Sequence, residues 1–161
     1  AKAAGIQVVA LFANQTESEV RKAIDAFQPD VLQFHGEESA EFCEQFNHSY
    51  WKAIPMLAVD DYLNYMNQYP KAEAFLLDAY GGQQSGGSGK VFEWFKFPEN
   101  LQSKLILAGG INQNNVTTAI EHTGAQYIDT SSGIESNPGV KSKTKMLALM
   151  NQIKAYNKPH N

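Results

Sequence analysis

An α/β fold of the (βα)8 TIM-barrel class, here with about six βα units, is the architecture the sequence predicts. Three observations point to it. Short apolar runs alternate with amphipathic helical stripes along the chain, a pattern of parallel strands joined by right-handed crossovers. Two strands run directly into loops of small residues: Leu107-Ala108-Gly109-Gly110-Ile111-Asn112, then Tyr127-Ile128-Asp129-Thr130-Ser131-Ser132-Gly133-Ile134-Glu135. The chain has 161 residues, one domain in length but short of the ~250 that eight units usually take.

Each element has its own signal. Val8–Phe12 is a buried-strand run. Thr16-Glu17-Ser18-Glu19 has capping-box spacing, and Val20, Ala23, Ile24 and Phe27 follow as a helical stripe that Pro29 stops. Val31–Phe34 is a strand and Glu37–Phe46 a helix; Tyr50–Ile54 is a strand and Val59–Tyr69 a helix with Tyr62, Leu63, Met66 and Tyr69 on one face. Ala74–Leu77 is a strand, Gly81–Gly89 a glycine-rich loop, and a short helix is expected at Phe92–Phe95. Leu105–Ala108, Asn114–His122, Tyr127–Thr130 and Lys141–Ala155 read as strand, helix, strand and closing helix, with a frayed tail from Asn157.

Composition narrows the function classes. A hydrophobic share of 43% with 19% charged residues is ordinary for a globular chain. A net charge of −4 disfavours a nucleic-acid partner. No apolar run approaches the ~18 residues of a membrane span, and no signal peptide is visible. A single cysteine forms no internal disulfide, which fits a cytoplasmic setting. The Asn-x-Ser/Thr triplets at Asn14, Asn47 and Asn115 then read as accidents of composition.

In barrels of this class the active site lies at the C-terminal ends of the strands, where Asn14, His35, Asp78, Asp129 and Glu135 all fall. Asp78 leaves the apolar run Phe75-Leu76-Leu77, so it is either a general acid at the barrel mouth or a cap for the turn after it. His35 is either a substrate contact or a histidine bonded within its own turn. Asp129 suits sugar hydroxyls or the support of its turn, and Glu135 suits the pocket. Gly109, Gly110, Ser131, Ser132 and Gly133 suit phosphate, because glycine lets an anion approach bare backbone N–H groups. Cys43 shares a face with Ala40 and Phe46 and reads as a small buried hydrophobe, not a nucleophile. Gly86-Gly87-Ser88-Gly89-Lys90 fails the nucleotide P-loop pattern at Gln84 and Val91 and reads as a loop over the pocket. The four histidines lack zinc-ligand spacing, so neither metal nor cofactor is expected.

The same residues carry a resemblance. Val8-Val9-Ala10-Leu11-Phe12-Ala13-Asn14, Leu32-Gln33-Phe34-His35-Gly36-Glu37, Trp51-Lys52-Ala53-Ile54, Leu76-Leu77-Asp78, Gly86–Trp94, the two loops above and Pro138-Gly139-Val140-Lys141 occur in one order over nearly the whole chain. In this the chain resembles phosphoribosylanthranilate isomerase, a cofactor-free barrel enzyme of tryptophan biosynthesis acting on a phosphoribosyl substrate. The resemblance implies that Asp78 is the general acid of an Amadori rearrangement. It also implies that residues 1–161 are one barrel domain lacking two N-terminal βα units. Those units carry the family's general-base cysteine and the arginine for the anthranilate carboxylate. The expectation is that residues 1–161 alone are inactive. Its open strand edges are expected either to be completed by residues ahead of Ala1 or to pair with a second copy. A non-catalytic phosphate-binding fragment is the reading in a different class. A barrel synthase of the indole-glycerol-phosphate kind ranks lower, since it relies on a lysine-rich pocket and Lys52 lies inside a strand.

Overall fold

The computed structural model describes residues 5–78 and 95–157. The glycine-rich loop at 81–89, most of the helix expected at 92–95 and the last four residues of the tail lie outside them. The chain clusters into two compact units, one running to Ile54 and resuming at Val59–Leu76, the other formed by Pro55–Ala58 and the chain from Leu77.

In the first unit β1 (Val9–Phe12), β2 (Val31–Phe34), β3 (Tyr50–Pro55) and β4 (Ala74–Asp78) lie side by side in chain order, β4 leading into the second unit. β1 pairs with β2 in parallel, Val9 opposite Val31 and Phe12 opposite Phe34, and β2 pairs with β3 in parallel. All four β2 residues are buried, as the apolar run requires of a strand covered on both faces. The helices return the chain. α1 (Glu17–Phe27) starts on the expected capping box, with Thr16 and Glu19 each bonded to the other's backbone, and ends at Gln28 in the left-handed region. α2 (Ala40–Glu44) and α3 (Tyr62–Asn67) are capped by Ser39 and Asp61.

Phe34 centres this unit's core, its ring 5.9–6.0 Å from those of Phe12, Phe42, Phe46 and Tyr50. Cys43 is fully buried beside them, and burial pushes its thiol up to about 12. A thiol-specific reagent at mildly alkaline pH should therefore leave the folded protein unlabelled and modify one thiol per chain in denaturant. Labelling of the native protein at the rate of a free thiol would contradict this burial.

In the second unit β5 (Leu105–Ala108) pairs in parallel with β6 (Tyr127–Ile128), and Asp129 continues that ladder through its N–H to the Leu107 carbonyl, 2.9 Å. α4 (Val116–Thr123) buries Val116, Ala119 and Ile120 and ends on Gly124 at φ +68°. After β6 come a 3-10 turn at Ser132–Ile134, an antiparallel hairpin of β7 (Glu135–Asn137) and β8 (Val140–Lys141), and α5 (Lys143–Tyr156).

Four expectations are corrected. Phe27 is 70% exposed and Leu63 45%, so the stripes of α1 and α3 bury fewer members than their spacing suggested. α2 begins at Ala40 rather than Glu37, because Glu38 spends its carboxylate on backbone amides outside the helix. Val140 and Lys141 form a hairpin strand, closed by the Pro138-Gly139 turn, and α5 starts only at Lys143. Asn157 caps α5 rather than fraying.

Candidate active site

The polar residues that the strands deliver fall into one group in each unit. In the first, the loops after β1 and β2 interlock. Asn14, at φ +63°, accepts the Glu37 N–H on Oδ1 at 2.7 Å. Glu38 receives the Asn14 N–H on Oε1 at 2.7 Å and the Gly36 N–H on Oε2 at 2.9 Å. A Cβ on Gly36 would stand 2.4 Å from Asn14 Oδ1, so only glycine fits there. Lys52, fully buried on β3, donates to the Gly36 carbonyl at 2.5 Å and to Glu38 Oε2 at 3.0 Å. His35 sits among these bonds: its N–H meets the Phe12 carbonyl at 2.7 Å, and its Nδ1 lies 3.2 Å from Gln33 Nε2.

In the second unit the two small-residue loops are brought together. Gly109 and Gly110 take φ +83° and +69°, a left-handed pair that a side chain would strain. The Gly110 carbonyl is held by the amide groups of Asn112 and Asn115, each at 3.0 Å. Thr130 Oγ1 donates to the Ile111 carbonyl at 2.6 Å. Gly133 packs so closely that a Cβ would stand 1.9 Å from the same oxygen. The loops at Gly110–Ile111 and Thr130–Gly133 thus meet at the Ile111 carbonyl.

Glu135 and Ser131 are joined through Lys141. Its Nζ donates to Ser131 O and Oγ at 2.9 Å each and to Glu135 Oε1 at 2.7 Å. The Lys141 ammonium holds the Glu135 carboxyl below its ordinary value, with help from the Gly139 N–H. Asp78 ends β4, its carbonyl accepting the Met56 N–H at 3.1 Å. Asp129 stands directly after β6.

Sequence reading missed Glu38, Lys52 and Asn112 as partners. The first pair are 14 positions apart and meet only through the fold. Asn112-Gln113-Asn114-Asn115 did carry a turn signal that could have been used. A cleft of about 580 Å³ is lined by Gly124, Ala125, Gln126, Ile128 and Tyr156 among others, and none of the expected site residues lines it. Among the described residues, no group of three His, Cys, Asp or Glu is placed to hold a metal, and no helix is long and apolar enough to cross a membrane.

The chain as a whole is similar to known proteins. The family model described as N-(5'phosphoribosyl)anthranilate (PRA) isomerase matches residues 1–152. The N-(5'-phosphoribosyl)anthranilate isomerase of Xanthomonas oryzae pv. oryzae is 39% identical over 155 residues, covering 92% of this chain and 70% of its own. Among solved structures, the phosphoribosyl anthranilate isomerase of Thermotoga maritima superposes with a TM-score of 0.74 at 27% identity, covering 93% of this chain and 74% of that one. That of Thermus thermophilus does so with a TM-score of 0.67 at 29% identity, covering 91% and 72%.

Proposed function

From the premise that this chain belongs to the N-(5'-phosphoribosyl)anthranilate isomerase family, we propose how its residues serve that enzyme. The reaction is the Amadori rearrangement of N-(5-phosphoribosyl)anthranilate to 1-(2-carboxyphenylamino)-1-deoxyribulose 5-phosphate, a step of tryptophan biosynthesis. Asp78 gives its proton to the furanose ring oxygen. The C1–O bond breaks and the nitrogen lone pair closes a Schiff base to C1. A base then removes the C2 proton, and the enolamine becomes the ketone. Both transfers need only side chains. His35, Asp129 and Glu135 contact the substrate. Gly109, Gly110, Ser131, Ser132 and Gly133 hold its phosphate.

The observation that carries this reading is the paired loop of the second unit. Two left-handed glycines and a glycine with no room for a Cβ set bare backbone in one patch. Phosphate is bound by backbone N–H groups that no side chain covers, and glycines at these positions allow that approach. The expected anion is inorganic phosphate or sulfate bound against Gly109, Gly110, Ser132 and Gly133 in a crystal grown with it. An anion seated elsewhere, with this niche filled by side chains, would remove the phosphate assignment.

The base is the finer part of the proposal. The family's cysteine lies on a strand that these 161 residues do not contain, and Cys43 is buried in the first unit's core. A polypeptide of these residues alone therefore binds phosphate and does not isomerise. The finer fold reading is a (βα)8 barrel whose other two βα units come from the same polypeptide or another. The setting we propose is cytoplasmic.

A further inference from the structure

We propose that Glu38 and Lys52 are positioning residues of the isomerase: a buried clamp that fixes the ends of β1 and β2 and, through them, His35. The inference rests on the isomerase reading, in which His35 faces substrate.

Glu38 has 3% of its side chain exposed and Lys52 none. A charge pair removed from water this completely is a poor source of net stability, since desolvation offsets most of its attraction. What the pair does is geometric. One carboxylate takes the amide after β1 on Oε1 and the amide two residues after β2 on Oε2. The ammonium then takes the carbonyl of Gly36, so both polar groups of that peptide residue are held. On its other side His35 is tied to β1 through the Phe12 carbonyl. Its backbone is thus gripped on both flanks. Tyr69 closes the arrangement: its hydroxyl donates to the Glu38 carbonyl at 2.9 Å, and its ring lies 5.5 Å from the Lys52 ammonium. Neither charged group reaches solvent, so neither is there as a surface ion pair.

The test uses the complete enzyme, this chain together with the family's first two βα units. Glu38→Gln and Lys52→Met each strand a buried charge, and both should lower Tm and kcat. The double variant Glu38→Gln/Lys52→Met is neutral. It should recover the Tm while kcat stays about 10- to 100-fold down, the scale of a small misplacement at a site, with KM changed less. A double variant with wild-type kcat would reduce the pair to a structural role and overturn the proposal. Amide exchange at Asn14 and Gly36 provides a readout that needs no substrate. Faster exchange in the double variant is expected, and unchanged protection would overturn the clamp. A wild-type enzyme that fails to isomerise would sink the functional reading, and the exchange result would still decide the clamp. Should the charge variants not fold, Tyr69→Phe removes only the hydroxyl bonded to Glu38. A severalfold fall in kcat then supports the clamp, and none counts against it.

Discussion

Asp78→Asn in the complete enzyme should lower kcat by ~10²-fold or more while KM moves little, the usual scale for loss of a general acid. The substitution preserves size and leaves the backbone bond from Met56 to the residue 78 carbonyl in place. In the proposed mechanism, what it removes is the proton that the ring oxygen takes as the C1–O bond breaks. Because ring opening comes first, no later step compensates. The loss should appear equally in kcat and kcat/KM, the pattern of an interaction made only in the transition state. Near-normal turnover in Asp78→Asn would take Asp78 out of the mechanism.

The second large effect concerns phosphate. Gly133→Ala places a methyl 1.9 Å from the Ile111 carbonyl oxygen, far inside contact distance. The obstacle is backbone, so it cannot swing aside as a side-chain tip would. Overpacking of this kind typically costs about 1–3 kcal/mol. The relief available is separation of the loops that Thr130 Oγ1 joins to Ile111. KM should rise and kcat/KM fall by about 10²-fold, as expected when a binding surface shifts by ~1 Å. Inorganic phosphate should lose potency as a competitive inhibitor in parallel. A Gly133→Ala enzyme with unchanged KM and unchanged phosphate inhibition would mean that the paired loops do not bind the substrate's phosphate.

Local signals were legible and long-range ones were not. The capping box at Thr16 and Glu19 could be read because both members lie within one turn. The strand ends bearing His35, Asp78 and Asp129 could be read because an apolar run stops visibly before each. The small-residue loops were read as turns that keep side chains off the backbone, and Gly109 and Gly110 do take left-handed φ values there. Glu38 was assigned to a helix it does not join, since nothing within its own segment announces a lysine 14 residues on. Gly36 takes an ordinary φ, so nothing in its own segment marks the constraint on it, which is Asn14 from a different loop. The hairpin after Ile134 was signalled by Pro138-Gly139, but the short strands around it carry too few apolar residues to register as strands.

The central claim is that these residues supply an N-(5'-phosphoribosyl)anthranilate isomerase with its acid and phosphate grip, while the base comes from outside them. The direct measurement is conversion of N-(5-phosphoribosyl)anthranilate by two purified proteins. One is a polypeptide of these 161 residues, its mass verified, and the other is the same residues joined to the family's first two βα units. The account predicts turnover by the second and none by the first. Full turnover by the 161-residue polypeptide would contradict it, and would assign the C2 proton to a residue within this chain, with Glu135 or His35 the first to test.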